Sequence, residues 1–492
     1  MNQSSGIEPM GSAPGNIMVP IAMFGWIPIV MTLFARLEAR MAAAVAFVGG
    51  WMFLPVAAFN LPALPDYTKT TATCVGILMG AWVFDKERFR QFRFNVVDIP
   101  ILLWCTAPFF SSVANGLGAY DGLSQTMYQS ITWGLPYYIA RIYFSESEGM
   151  NILATAIVIG GIVYIPFCWF EMIMSPQLHR MTYGFHQHNF LQTLRDGGGF
   201  RPMVYMDHGL MTSMWMVIAI FLGTWLFISG NLPKKILFVP TIYLLLFLIF
   251  TTIMMKSFGA IILLFLGLTV LVISHRMNRT IFILILLLIP HLYVITRTTG
   301  IWDGKNLSGF VEQKISADRA QSLQFRFDNE TILIDKAMRG TIFGWGGFGR
   351  SRIYDDKGRD ISVADGLWII ALGQNGIYGL LTMMIAIQTP VILFLLRIKP
   401  ERWKEKSWAA ASVMAVFLSI YMIDNLLNAM INPVYMLFSG GITGMAIQAK
   451  RGLPISSSAS ATISQNQFKN DTEHETTRFI TAPKRFASRF IS

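Results

Sequence analysis

Residues 258–296 read FGAIILLFLGLTVLVISHRMNRTIFILILLLIPHLYVIT and contain two long apolar runs separated by a short basic loop. The runs cover 258–273 and 280–296, and each is long enough to cross a hydrocarbon core of about 30 Å as a helix. Inside lipid, every backbone polar group needs an internal hydrogen-bond partner, which a helix supplies. The loop carries Arg276 and Arg279, which favour the cytoplasmic side. The stretch therefore predicts two membrane-spanning helices joined at the cytoplasmic face.

The same pattern recurs along the whole chain of 492 residues, of which 53% are hydrophobic and only 14% are charged. This balance is typical of an integral membrane protein and not of a soluble one. We predict an all-α polytopic fold with roughly 12–13 transmembrane helices. If the first two runs form a re-entrant pair, this total changes. The runs lie near 16–34, 41–59, 68–84, 96–114, 123–140, 152–173, 209–228, 236–253, 258–273, 280–296, 376–396, 408–427 and 434–449.

Lys and Arg alternate between the short loops in a way that predicts the orientation. One set of short loops carries sixteen of these residues, whereas the intervening set holds only Lys69 and Lys256. The first set is predicted to be cytosolic and the second to be outside. A membrane domain at 16–453 then has two larger outer loops, at 174–208 and 297–375. It follows an outer N-terminal tail at 1–15 and precedes a polar, disordered cytosolic tail at 454–492.

The net charge of +11 reflects this bias together with a basic C-terminal segment, KRFASRF at 484–490. Such a segment contacts anionic lipid or nothing, so membrane lipids are predicted partners and nucleic acid is not. The three cysteines fall inside predicted spans, which excludes a disulfide framework. His179, His186 and His188 lie close together in the chain, but a solvated HQH in a Gly- and Arg-rich loop is favoured over a metal site. We predict no metal and no cofactor.

The two large outer loops contain fourteen Lys and Arg residues, against the usual bias. One explanation is that long loops cross the membrane regardless of charge and are simply solvated. The other starts from Glu171, His291 and Asp424, which fall in the outer parts of their predicted spans, where ionisable groups are costly. Together they would form an outward-facing polar chamber beneath the loops. Singly, each is equally explained as a hydrogen-bonded packing residue.

The second outer loop contains GWGGFG at 344–349, which matches the glycine fingerprint of dinucleotide-binding folds. That fingerprint requires a preceding strand and a helix that opens from its last glycine. The following residues, RSRIYDDKGRD, have no helical apolar period, so the dinucleotide interpretation fails. We expect a tight turn that brings Arg350 and Arg352 to one place. Exposed N–H groups beside these guanidinium groups would form an anion cradle.

Two helices are predicted to flank this turn. DNETILIDKAMRG at 328–340 predicts a short helix capped by Asp328 or Asn329, with Arg326 just before it. ADGLWIIALGQNG at 364–376 begins a second helix, with Asp365 at the position of an N-cap. Capping alone would account for Asp365.

In four stretches the chain resembles the bacterial O-antigen ligase and polymerase superfamily of polytopic glycosyltransferases. FRPMVYMDHGLMTSMW at 200–215 is similar to the arginine-led entry into a span. TTIMMKSFGAIILLFLGL at 251–268 is similar to the tight outer hairpin, here with Lys256. RFDNETILIDKAMRGTIFGWGGFG at 326–349 resembles the loop in which an arginine, here Arg326, precedes a helix and a glycine turn. VADGLWIIALGQNGIYGLL at 363–381 resembles the segment with the ligase histidine, which is Asp365 in this chain.

The resemblance implies transfer of a glycan from an undecaprenyl diphosphate carrier to an acceptor hydroxyl at the periplasmic face of the bacterial inner membrane. Asp365 and Arg326 are the expected catalytic pair. The expected diphosphate- and glycan-binding residues are Arg201, Lys256, Arg350, Arg352 and His208. Partners would be the lipid-linked glycan, an acceptor glycan or lipid, and other polysaccharide-assembly proteins.

The absent ligase histidine favours a polymerase of exopolysaccharide or O-antigen repeat units over a ligase that attaches glycan to the lipid A core. A transporter or flippase of polysaccharide or lipid-linked sugar is the non-enzymatic alternative. Repeated halves and polar residues through the middle of several spans are typical of transporters, and neither is evident in this sequence.

Overall fold

The computed structural model describes residues 15–61, 65–195, 198–236 and 238–450, and within them the fold is all-α. The predicted cytosolic tail at 454–492 and all but the last residue of the predicted outer tail at 1–15 lie outside the described residues. The only regular strands in the described ranges are two residues long and form two antiparallel pairs. In these, β1 (Ala58–Phe59) pairs with β2 (Tyr67–Thr68), and β3 (Lys235–Ile236) pairs with β4 (Val239–Pro240).

The long apolar helices follow the predicted apolar runs, and four further helices lie in the connections between those runs. In chain order they are α1 Met18–Arg36, α2 Ala39–Phe53, α3 Lys69–Phe84, α4 Lys86–Gln91, α5 Ile99–Ala114, α6 Ala119–Gln129, α7 Leu135–Tyr143, α8 Ser147–Met174, α9 Leu178–Tyr183, α10 Gly209–Ile228, α11 Thr241–Met254, α12 Phe258–Met277, α13 Ile281–Thr298, α14 Lys305–Lys314, α15 Ala317–Ala337, α16 Leu367–Arg397, α17 Ala409–Leu427 and α18 Pro433–Lys450.

Eight helical segments of the described chain are long and apolar enough to cross a membrane: α1, Val96–Ala114 (which ends in α5), α8, α10, α12, α13, α16 and α17. The all-α polytopic prediction is confirmed at this level. Other predicted spans are shorter helices, namely α2, α3 and α11. The run at 123–140 is divided into α6 and α7 by a π-helical segment, Ser130–Gly134, with Pro136 just beyond it.

The short basic loops and the large loops lie at opposite ends of the helical bundle. At the first end, Arg40 contacts Glu146 and Glu148, and the Asn231 side chain donates to the Lys406 carbonyl at 2.8 Å. At the second end, Lys69 contacts Asp207, and loop 174–208 meets the α11–α12 turn. The loops that the charge alternation groups together therefore lie at the same end of the bundle.

Helices α10 and α17 occupy the centre of the bundle. They are apolar all round and almost wholly buried, which is typical of a helix surrounded by other helices. Helix α1 is largely exposed along its length, as expected of a helix whose outer face contacts lipid. Asp424 is therefore carried by one of the most enclosed helices, close to its end.

Helix α16 is broken at Gly376, where φ is 65° and ψ is −164°. The GWGGFG turn fills the break: the Trp345 N–H donates to the Gly373 carbonyl and the Gly346 N–H to the Gln374 carbonyl, both at 2.9 Å. In return, the Ile377 N–H donates to the Thr341 carbonyl at 2.8 Å. A helix break at the membrane is tolerated when protein groups pair with its backbone in this way.

This arrangement accounts for the glycine pattern at 344–349. No helix opens after Gly349, in agreement with the rejected dinucleotide interpretation. The anion-cradle interpretation is wrong for Trp345 and Gly346, because their N–H groups are already bonded to carbonyl groups of α16. The part of α16 before Gly376 corresponds to the helix predicted to begin in 364–376, and the part after it corresponds to the predicted span at 376–396.

Alanine at Gly344 is expected to destabilise the fold far more than alanine at Gly358. Both glycines have positive φ, 69° and 72°, so both substitutions carry the left-handed penalty of about 1 to 2 kcal/mol. A Cβ at Gly344 would also lie 2.5 Å from backbone atoms of Gln374 and Gly376, whereas one at Gly358 would meet no atom of the described residues within 4 Å. Thermal unfolding in detergent measures the difference. Equal losses of stability would contradict the close approach of the turn to α16.

Candidate functional site

The two large loops bring a cluster of guanidinium groups together at the second end of the bundle. Arg201 is half-buried, and its Nε has no hydrogen-bond partner in the described part of the chain. Burial, followed by the nearby charges of Arg195, Arg326 and Arg319, lowers the pKa of Arg201 to about 9. A cation surrounded by like charges is stabilised by any anion that enters among them. Arg201 and Arg326, two members of the predicted anion-binding set, are therefore close enough for their charges to interact.

Arg195 and Arg319 were not predicted as members of this cluster. The sequence places fourteen cationic residues in the two loops and offers no signal that separates these two from the others. Arg195 donates to the carbonyls of Gln192 and Thr193, and Arg319 lies over the Phe258 ring at 4.8 Å.

Arg326 lies within a helix and not before one, because the helix predicted at 328–340 begins further upstream than expected, although it ends near Gly340 as expected. Helix α15 begins at Ala317, and the extended Ser316 precedes it. Asn329 does not cap a helix: its side chain donates to the Phe325 carbonyl and accepts from the Val363 N–H. Good helix formers between 317 and 326 extend the helix upstream although they carry little apolar period.

The Arg326 guanidinium makes two long contacts. Its Nε lies 3.5 Å from Oδ2 of Asp365, and its Nη1 donates to Oδ1 of Asn428 at 3.3 Å. Tight charge-assisted hydrogen bonds are about 2.7–2.9 Å long. The side chains of Arg326 and Asp365 are 29% and 36% exposed. The pair is therefore oriented by its neighbours while both charges remain accessible.

Asp365 is not a helix cap. Helix α16 begins at Leu367, its N-cap position is Gly366, and no side chain caps it. Burial raises the pKa of Asp365, while the nearby Arg326 and Arg352 act in the opposite direction. A carboxylate with a raised pKa beside a guanidinium group is a stronger proton acceptor than a solvated aspartate. Capping, the alternative explanation for this residue, is wrong.

A clamp formed by Asn329 and Glu330 holds the chain on both sides of Asp365 against α15. Asn329 Oδ1 accepts from the Val363 N–H at 2.8 Å, and Glu330 Oε1 accepts from Trp368 Nε1 at 3.2 Å. The other oxygen of Glu330, Oε2, accepts from Tyr293 at 2.7 Å and from Arg297 at 3.1 Å. The buried Arg297–Glu330 pair thereby joins α13, α15 and α16. These contacts fix the Arg326–Asp365 distance, and sequence reasoning missed all of them.

Arg350 and Arg352 do not reach one common place. The Arg350 guanidinium donates to the Asn115 carbonyl, in the α5–α6 connection. Arg352 donates to the Ser362 carbonyl at 3.3 Å and lies 3.9 Å from Asp360. Arg352 is close enough to lower the pKa of Asp365, whereas Arg350 supports the turn that fills α16. The expectation that the turn delivers both to one site is wrong.

Lys256 and His208 occupy supporting positions. Lys256, in the α11–α12 turn, donates to the Gly198 carbonyl at 2.7 Å and so tethers the loop that carries Arg201. Nδ1 of His208 accepts from the Leu210 N–H and caps α10, and its Nε2 donates to Gln192 Oε1 at 3.1 Å. Burial, followed by the nearby His188 and then by neighbouring arginine side chains, lowers the pKa of His208 to about 3, so the ring is neutral. Both of its nitrogens are used.

Of the three ionisable residues predicted to form an outer chamber, one joins the site. Asp424 accepts from Asn428 at 2.8 Å and is thereby linked to Arg326. Glu171 accepts the N–H groups of Leu178, Met203 and Val204 and anchors the first large loop. His291 bonds to the Leu287 carbonyl of its own helix. Glu171 and His291 are thus hydrogen-bonded packing residues.

The described residues contain no group of three or more His, Cys, Asp or Glu side chains that could hold a metal ion. The site consists of the guanidinium groups of Arg201 and Arg326 with two carboxylates, Asp365 and Asp424. Such a set can bind a phosphate anion and accept a proton. Comparisons with protein-family models and with curated proteins gave no match to this chain.

Proposed function

We propose that this protein is a membrane glycosyltransferase of the O-antigen ligase and polymerase type. It would move a glycan from an undecaprenyl diphosphate carrier to an acceptor hydroxyl at the periplasmic face of the bacterial inner membrane. The observation that supports this most is the Arg326–Asp365 pair, in which Nε lies 3.5 Å from Oδ2, together with the charge of Arg201 close enough to Arg326 for the two to interact. The guanidinium groups suit a diphosphate anion, which has several oxygens. The carboxylate suits an acceptor hydroxyl that must lose a proton.

In the proposed reaction, the acceptor oxygen attacks the anomeric carbon and the bond from that carbon to the diphosphate oxygen breaks. Charge grows on the diphosphate as it leaves, and fixed guanidinium groups stabilise that charge. Arg326 and Arg201 take this role because the planar fork of arginine binds two phosphate oxygens at once. Asp365 accepts the proton of the acceptor hydroxyl. Arg352 lies near Asp365 and adds positive charge there.

We favour a polymerase of exopolysaccharide or O-antigen repeat units, because Asp365 stands where the ligases have histidine. Deletion of the gene, followed by gel analysis of lipopolysaccharide and secreted polysaccharide, tests this. Single repeat units are expected for a polymerase, whereas long chains left on the carrier would indicate a ligase. If the purified protein changes neither the length nor the attachment of a lipid-linked glycan, the enzymatic proposal fails and a transporter is favoured.

The proposed orientation places loops 174–208 and 297–375 in the periplasm and the basic loops in the cytosol. The three native cysteines are buried, so single cysteines at the exposed positions Lys357 and Lys404 report without background. A membrane-impermeant maleimide added to intact spheroplasts is expected to label Lys357→Cys only. Permeabilised cells serve as the control, in which both label. Labelling of Lys404→Cys in intact spheroplasts would contradict the orientation.

A further inference from the structure

Asp424 is a carboxylate buried near the end of a central apolar helix, α17. Its Oδ1 accepts from Nδ2 of Asn428 at 2.8 Å. Its Oδ2 has no hydrogen-bond partner in the described part of the chain. An ionisable group in such surroundings is costly, and the single hydrogen bond to Asn428 does not offset that cost. A role limited to stability does not explain why an acidic residue stands here.

The amide of Asn428 connects this carboxylate to the candidate site. Its Nδ2 donates to Asp424, and its Oδ1 accepts from Nη1 of Arg326 at 3.3 Å. A carboxylate only accepts hydrogen bonds and a guanidinium group only donates them, so the two partners together permit one orientation of the amide. Asn428 follows the last residue of α17 in an extended conformation, which directs the chain away from the helix.

We infer that Asp424 is a positioning residue for Arg326 and acts through Asn428. Asp424 fixes the amide, and the amide holds one edge of the Arg326 guanidinium while Asp365 lies against Nε. The contacts of Arg326 with Asn428 and Asp365 use Nη1 and Nε, so Nη2 is the nitrogen that would bind a ligand oxygen. The orientation of Arg326 is a property of the fold, whereas the consequence of that orientation for glycan transfer rests on the proposed function.

Asp424→Leu is the central variant, because leucine has the same branching and the same number of heavy atoms as aspartate and removes both the charge and the acceptor oxygens. A buried charge replaced by an apolar side chain is often neutral or stabilising for the fold. We therefore expect unchanged or higher thermal stability together with a less restrained Arg326. Asp424→Asn keeps an acceptor oxygen for Asn428. This variant is expected to restrain Arg326 more than Asp424→Leu does and less than the wild-type protein does. Ser419→Ala is the matched control, since Ser419 is buried on the same helix and donates to the Ala415 carbonyl of that helix.

The first readout needs no substrate. Arginines of the purified protein in nanodiscs are modified with a dicarbonyl reagent, and the rate at Arg326 is followed by peptide mass spectrometry. The exposed Arg359 is the internal reference. Asp424→Leu and Asn428→Leu are each expected to raise the Arg326 rate about fivefold, the size of one lost hydrogen bond. An unchanged ratio of Arg326 to Arg359 would overturn the inference. Should the leucine variants fail to fold, the same ratio in Asp424→Asn and Asn428→Ala decides.

The second readout is a double-mutant cycle on transfer from a lipid-linked glycan. If Asp424 acts through Arg326, Asp424→Leu lowers kcat/KM about tenfold in the wild-type background and has no further effect beside Arg326→Ala. Additive losses would overturn the inference. A wild-type protein that transfers no glycan would overturn the proposed function instead, and the modification ratio would still decide the role of Asp424.

Discussion

Replacement of Asp365 by asparagine is expected to lower the rate of glycan transfer by about 10²- to 10⁴-fold, the range of a lost general base. Asparagine retains the shape of the side chain and an oxygen that faces Arg326 Nε, so the fold should persist. The measurement is kcat on a lipid-linked glycan with the purified protein. Asp356→Asn, at an exposed position of the same loop, is the control and should be fully active. A stable Asp365→Asn variant with wild-type activity would remove Asp365 from the mechanism.

The pH dependence of kcat gives an independent test of the same residue. Because burial raises the pKa of Asp365, its carboxylate becomes protonated at a higher pH than that of a solvated aspartate. The midpoint of the acid-side loss of activity should therefore lie above pH 3.8, the ordinary pKa of an aspartate. The residual activity of Asp365→Asn should lack this acid limb. An identical limb in both proteins would assign the titration to another group.

Replacement of Arg326 by alanine is expected to cost roughly 2 to 4 kcal/mol of transition-state stabilisation, or about 30- to 1,000-fold in kcat/KM. Arg326→Lys should also be impaired, because an ammonium group cannot bind two phosphate oxygens in the plane of a fork. The exposed Arg359, which pairs with Asp355, offers a matched arginine control. Arg359→Ala should retain full activity.

Substitutions of Arg350 and Arg326 are expected to distinguish a structural role from a binding role. Its guanidinium donates to the Asn115 carbonyl, and the Asn115 side chain in turn donates to the Gly344 carbonyl in the turn that fills α16. Loss of Arg350 should consequently lower thermal stability along with activity, whereas loss of Arg326 should lower activity alone. Full activity of Arg326→Ala at normal expression would refute the diphosphate site.

Local features of the sequence predicted the helical architecture and the two ends of the bundle. The run at 258–296 determines two helices because its length and apolarity match the membrane and because backbone groups in lipid must pair within a helix. Arg276 and Arg279 place the intervening loop in the set of short basic loops that is predicted to be cytosolic. These constraints act on a segment and its solvent, so they can be read without knowledge of neighbouring helices.

The contacts that build the candidate site join residues far apart in the chain. Arg326 and Asp365 were predicted as partners only through a resemblance, and their separation depends on Asn329 and Glu330. The link from Arg326 to Asn428 spans 102 positions. The bond from Asn115 to the Gly344 carbonyl spans 229.

The sequence by itself determined the all-α polytopic architecture and the sorting of the short basic loops and the large loops to opposite ends of the bundle. Only the tertiary structure decided that α15 begins at Ala317, that Arg350 and Arg352 diverge, and that Asp424 reaches Arg326 through Asn428. The physical reason is that lipid tails and apolar side chains are nearly equivalent surroundings for a helix, so hydropathy does not specify which helix faces which. Close packing and a few buried hydrogen bonds make that choice.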